Sequence, residues 1–189
     1  MLPLLIVIGV FVLVPLVFVL AQYNGLVALR NHIDNAWSNV DTELKRRYDL
    51  IPNLVNAVKG YAKHEREVLD QVTRLRSRCL NNHGTPGEQA SDERQLVSAL
   101  QRLMVVVESY PSLKSDRNFL ELQQELVNTE DRIQAARRFY NGNVRDYRIK
   151  CQSFPSNLVA GLFGFRAQDY FNVEPGVRDV PNVEFPEQA

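Results

Sequence analysis

The chain has 189 residues in which 22 lysines and arginines balance 22 aspartates and glutamates, a length that suits one domain with a sizeable core. That balance marks it for neither nucleic acid nor an acidic substrate. Three histidines and two cysteines leave little material for metal or redox chemistry. Cys79 and Cys151 lack a CxxC spacing and are expected as two buried or half-buried free thiols, a single bridge being the other arrangement.

Residues 2–21 read LPLLIVIGVFVLVPLVFVLA, twenty residues without a charge. At about 1.5 Å per residue a helix of that length spans roughly 30 Å, the hydrocarbon thickness of a bilayer. Gly9 and Pro15 are tolerated in such a span. A cleaved signal peptide is the competing reading, because Val19-Leu20-Ala21 resembles a cleavage site. Against it, no basic segment precedes the run, and the run is longer than a signal peptide's apolar core. An uncleaved single-pass anchor over 1–22 is therefore expected, with Tyr23 as an aromatic ring at headgroup level. Only the α-amino group precedes the run, whereas Arg30 and Lys45-Arg46-Arg47 follow it, so the positive-inside rule places the domain in the cytoplasm.

Beyond the anchor the periodicity is helical throughout, and no strand-like alternation of useful length interrupts it. Leu29, Ile33, Ala36, Trp37, Val40, Leu44 and Tyr48 make a first stripe. In RRYDLIPN, the cations of Lys45-Arg46-Arg47 suit a helix C-terminus, Asp49 suits a new N-terminus, and Pro52 falls where a first turn tolerates it. A tight turn between two helices is expected there. The second stripe then runs from Leu54 through Val58, Ala62 and Val68 to Leu75, and residues 81–87, NNHGTPG, form a loop. Ser91 with Asp92 and Glu93 suits the start of a third helix, carried by Leu96, Leu100, Leu103 and Val107 and ended at Tyr110-Pro111. Ser115-Asp116 can cap a fourth and longest helix, whose seam runs through Phe119, Leu122, Leu126, Ile133, Ala136, Tyr140, Tyr147 and Phe154. Residues 157–165 read as a short apolar helix or turn, and 172–189, rich in proline and acid, as a loose tail. The expected fold class is all-α, an N-terminal transmembrane helix continuing into an antiparallel up-down four-helix bundle over 23–171.

No reactive constellation is visible. The His64-Glu65 pair would need a histidine at position 68 to make a zinc helix, and that position is Val68. A di-iron bundle needs Glu-x-x-His pairs, but Leu29, Tyr61 and Leu80 stand three residues before the three histidines. Nucleotide loops and a nucleophile elbow are missing from the sequence too. His64 is therefore expected as an exposed residue on a helix face. Arg47, Asp49, Asn53, Glu65, Glu130, Arg137 and Asn141 lie close to the apolar seams and are expected to form an interhelical polar network or to line a groove. No catalytic, metal or cofactor residue is assigned.

These residues together resemble the LemA family of bacterial membrane-anchored helical proteins. The marks are Tyr23-Asn24-Gly25-Leu26-Val27, Ala36-Trp37, Leu44-Lys45-Arg46-Arg47-Tyr48-Asp49-Leu50-Ile51-Pro52-Asn53-Leu54, Gly60-Tyr61-Ala62 and Ala136-Arg137-Arg138-Phe139-Tyr140-Asn141. The resemblance extends to about Tyr170 and leaves the tail uncovered. It implies an anchored helix bundle of the bacterial inner membrane with no established enzymatic activity. The expected function is a non-enzymatic scaffold that needs no cofactor, meets the lipid bilayer, forms a homo-oligomer and organises partners at the membrane. The alternative is an adaptor that presents substrates to a membrane protease or stress-response system.

Overall fold

The computed structural model describes residues 2–62 and 64–172. Every regular element among them is a helix: α1 (Leu2–Tyr61), α2 (Arg66–Asn81), α3 (Pro86–Val107), α4 (Pro111–Lys114), α5 (Arg117–Gln152) and α6 (Ser156–Leu162). Of the tail expected over 172–189, only Asn172 is included; the rest lies outside the described residues.

α1 is one helix of 60 residues with Pro15 and Pro52 inside it. Its inward stripe is Leu26, Ile33, Ala36, Val40, Leu44, Tyr48, Ile51, Leu54 and Val58, each 5% exposed or less. The stripe crosses the proline without a change of phase. The turn expected between residues 45 and 52 is therefore absent, and the reason is local chemistry. A proline at 52 cannot donate to the carbonyl of Tyr48, four residues back, and its ring crowds that oxygen. Arg76 on α2 supplies the missing donor, its Nε meeting the Tyr48 carbonyl at 2.6 Å. A partner from another helix thus satisfies the orphaned oxygen, and the helix continues.

α1 ends at Tyr61 and α2 begins at Arg66, so the turn falls inside the expected second segment. His64 is exposed as expected, but in this turn rather than on a helix face. α2 returns along α1 and forms a hairpin with α3. That helix begins earlier than expected: Thr85 is its N-cap, with Pro86 in the first turn. Thr85 Oγ1 accepts from the Glu88 amide at 3.3 Å, and Glu88 accepts from the Thr85 amide at 2.8 Å, a reciprocal capping box. Residues 91–93 consequently sit a turn and a half inside α3, where Asp92 and Glu93 are buried.

α5 begins where expected, with Asp116 accepting from the Phe119 amide at 3.0 Å. It runs antiparallel to α1: Trp37 meets Tyr140, Arg47 meets Glu130 and Tyr61 meets Asp116. Phe154, placed on the seam by its spacing, is 80% exposed, because α5 ends two residues before it. α6 closes in a Schellman turn: the Phe165 amide reaches the Ala160 carbonyl at 2.9 Å, and Gly164 takes φ +71°, a conformation open to glycine. From there residues 165–172 run back along α5 as an extended strap.

Candidate functional site

Arg47 and Glu93 lie deepest among the charged groups. Their side chains are 2% and 1% exposed, and each occupies a place on its helix where spacing demands an apolar residue. Arg47 follows Val40 and Leu44 on α1, and Glu93 precedes Leu96, Leu100 and Leu103 on α3. Arg47 Nη2 donates to Glu93 Oε2, and the hydroxyl of Tyr48 donates to Glu93 Oε1. Arg47 Nη1 donates to Glu130 Oε2 of α5 at 2.7 Å. One guanidinium therefore ties three helices, each of its two Nη atoms bonded to a carboxylate, while its buried Nε has no partner.

The network continues outward along α5. Gln134 donates to Glu130 Oε1 at 3.0 Å, and Arg137 donates to Gln134 Oε1 at 2.7 Å. Arg47, Glu130 and Arg137 are thus brought into one chain of hydrogen bonds. The other four candidates go elsewhere. Asp49 is exposed, and Asn53 borders a shallow depression with Leu50 and Leu122. Glu65 accepts from the Tyr110 hydroxyl at 3.3 Å in the α1–α2 turn. Asn141 clasps the strap: its Nδ2 donates to the Phe171 carbonyl at 3.1 Å, and its Oδ1 accepts from the Phe171 amide at 2.9 Å. Phe171 is fully buried, edge-on to Trp37 at 5.4 Å between ring centroids. Arg94 takes the Asn172 carbonyl at 2.7 Å, so the last described residue is held rather than loose.

Glu93, Gln134 and the hydroxyl of Tyr48 complete this network and lie outside the polar residues expected to form it. A signal for Glu93 existed in its 3-4-3 spacing with Leu96, Leu100 and Leu103, but three polar residues in a row there resembled a helix start.

The electrostatics are those of a locked structure. Burial foremost, and then the Glu93 carboxylate, hold the Tyr48 phenol and the Cys79 thiol far above their ordinary ranges, so both keep their protons. Cys79 is therefore a thiol and not a nucleophilic thiolate. Cys79 and Cys151 are both free. Among the described residues no group of three His, Cys, Asp or Glu side chains could hold a metal ion.

Above this network α3 and α5 stand apart and leave an open groove of about 830 Å³. Its walls are Val97, Leu100, Met104, Leu126 and Val127, its floor Arg47 and Glu130, and its rim Arg94 and Arg137. Such a surface can receive the apolar face of a helix. At the opposite end of the molecule Tyr23 packs edge-on against Phe163 and Phe165, at 4.9 and 5.6 Å.

Comparison with known proteins places these features in context. A family model described as the LemA family matches residues 36–185, so the likeness continues past the limit expected near Tyr170. The magnetosome protein MamQ 1 of Paramagnetospirillum magneticum is 28% identical over 182 residues, covering 82% of this chain. MamQ of Magnetospirillum gryphiswaldense is 25% identical over the same share. Protein LemA of Metamycoplasma hominis is 30% identical over 137 residues, or 72% of this chain. The chain spans 66% of the length of each MamQ protein and 63% of that LemA protein.

Proposed function

The chain belongs to the LemA family, and on that premise we propose that it is a membrane-anchored, non-enzymatic scaffold that works by contact with a second copy of itself. In this reading residues 2–21 cross the bacterial inner membrane, and the two antiparallel helix pairs close into one four-helix bundle on the cytoplasmic side. α1 is long and apolar enough for the crossing, and its side chains at Phe11, Leu13, Leu16 and Leu20 are more than half exposed.

The observation that carries the reading is the α3–α5 groove together with its own lip. Val127 lines the groove and is 51% exposed, and Leu120, one heptad earlier on α5, is 47% exposed. A patch that offers both an apolar ridge and an apolar trough is self-complementary. Two copies related by a two-fold axis each place the α5 ridge in the other's groove. Lateral confinement in a bilayer raises the effective concentration of such a weak surface.

Light scattering of the full chain in detergent micelles or nanodiscs tests this directly. The expected result is a dimer or larger assembly that Val127→Glu reduces to monomer without lowering helix content. A strict monomer of the unaltered chain in both media contradicts it. Retrieval of a membrane protease in place of a second copy would favour the adaptor reading.

A further inference from the structure

α6 is apolar on both faces. Ser156, Val159 and Ala160 pack inward. Leu158 and Leu162 point outward at 64% and 76% exposure, beside Phe154 and Phe163 at 80% and 49%. Leu158 and Leu162, four residues apart, lie on one side of α6, and Phe154 stands just before its start. A short helix that keeps this much apolar surface outward in water is disfavoured, and an apolar patch of this kind marks a contact.

The position of α6 identifies the contact. Phe163 and Phe165 hold Tyr23, two residues past the apolar run of 2–21. Val19, inside that run, is itself partly buried against the core. α6 therefore lies level with the end of the apolar segment of α1, where Val17 and Leu20 also face outward. The ammonium of Lys150 lies against Gly25 just above, and Arg166 is exposed just past Phe165. An apolar surface with cations immediately above it matches the boundary between acyl chains and headgroups.

We propose that α6 and Phe154 form a second membrane contact, a collar lying in the interfacial zone of the bilayer that α1 crosses. It rests on the reading of residues 2–21 as a membrane span. A single helix leaves the tilt of its domain free, and an interfacial contact beside it fixes tilt and rotation. The collar thus sets how the α3–α5 groove faces its neighbours.

The test uses the full chain with Cys151→Ser, the buried Cys79 being left in place. An environment-sensitive nitrobenzoxadiazole probe is attached at Leu158→Cys or, separately, Leu162→Cys, both exposed positions outside the core. The protein is reconstituted in vesicles of phosphatidylethanolamine and phosphatidylglycerol. Blue-shifted emission and severalfold quenching by lipid spin-labelled near the top of the acyl chain are expected at both sites. A probe at Ser112→Cys, an exposed position at the far end of the molecule and away from the α5 ridge, should stay water-like. A probe at Phe11→Cys reports the span separately through quenching by a deep label. Quenching at position 11 with water-like emission at 158 and 162 overturns the collar and leaves the span intact. A blue shift at 158 and 162 without lipid quenching means that protein covers the patch, and also overturns it. No quenching at position 11 overturns the span, and the collar falls with it.

Discussion

At the scale of single residues, the molecule turns on a guanidinium set among apolar neighbours. Removing one partner of a buried, hydrogen-bonded ion pair strands the other charge, a loss of about 3–5 kcal/mol. Arg47→Met should therefore lower stability by about that much, measured as the urea midpoint of the detergent-solubilised chain. Arg47→Met with Glu93→Leu should recover most of it, because well-packed apolar residues replace such pairs with little loss. A second expectation concerns pH. Cys79 and Cys151 have ordinary thiol values of 9.0, and burial raises both. Burial likewise raises the Tyr140 and Tyr147 phenols from 10.0 to about 12. Above pH 9 the unfolded chain loses these protons while the folded chain keeps them, so the unfolded state binds fewer protons and stability falls as pH rises. The urea midpoint should hold from pH 7 to about 9 and then decline, with Cys79→Ala softening the first part of the fall. The partners of Arg47 were only half legible in the sequence. Periodicity reveals that a charge sits on a core stripe, but not which stripe faces it, and Glu93 is set by three-dimensional packing across a long loop of chain.

At the scale of elements, capping chemistry proved legible where one side chain serves its own helix. Asp116 at the start of α5 and the end of α3 ahead of Pro111 are both legible in the sequence. The failures came where a donor arrives from elsewhere. Nothing local distinguishes a proline that ends a helix from one whose orphaned carbonyl is met by an arginine 24 residues on, as Arg76 meets the carbonyl opposite Pro52. The two residues should consequently be coupled. Arg76→Leu should cost about 1.5–3 kcal/mol, the range for a hydrogen bond to a charged donor. In a Pro52→Ala background, where the residue 52 amide donates instead, the same change should cost much less. A double-mutant cycle that gave simple additivity would remove this explanation of the unbroken α1. Thr85→Ala should cost about 1 kcal/mol, since it abolishes one half of the α3 capping box. Amide exchange should then quicken in the first turn of α3.

At the scale of the whole molecule, α1 joins the apolar segment to the helical domain without a joint. The Arg47 network pins α3 and α5 to it, and the space between those two helices becomes the groove. The all-α class was legible because each core stripe repeats at helical spacing for many turns. The groove was not, because a gap between helices leaves no periodic mark: Val97, Met104 and Val127 look like ordinary seam residues or ordinary surface. In-cell photocrosslinking from position 127, followed by mass spectrometry, is the most direct test of a scaffold built on that groove. Crosslinks from Val127 into Val97, Leu100 or Met104 of a second copy are the predicted result. Efficient capture of foreign protein alone, with no self-crosslink, would contradict it.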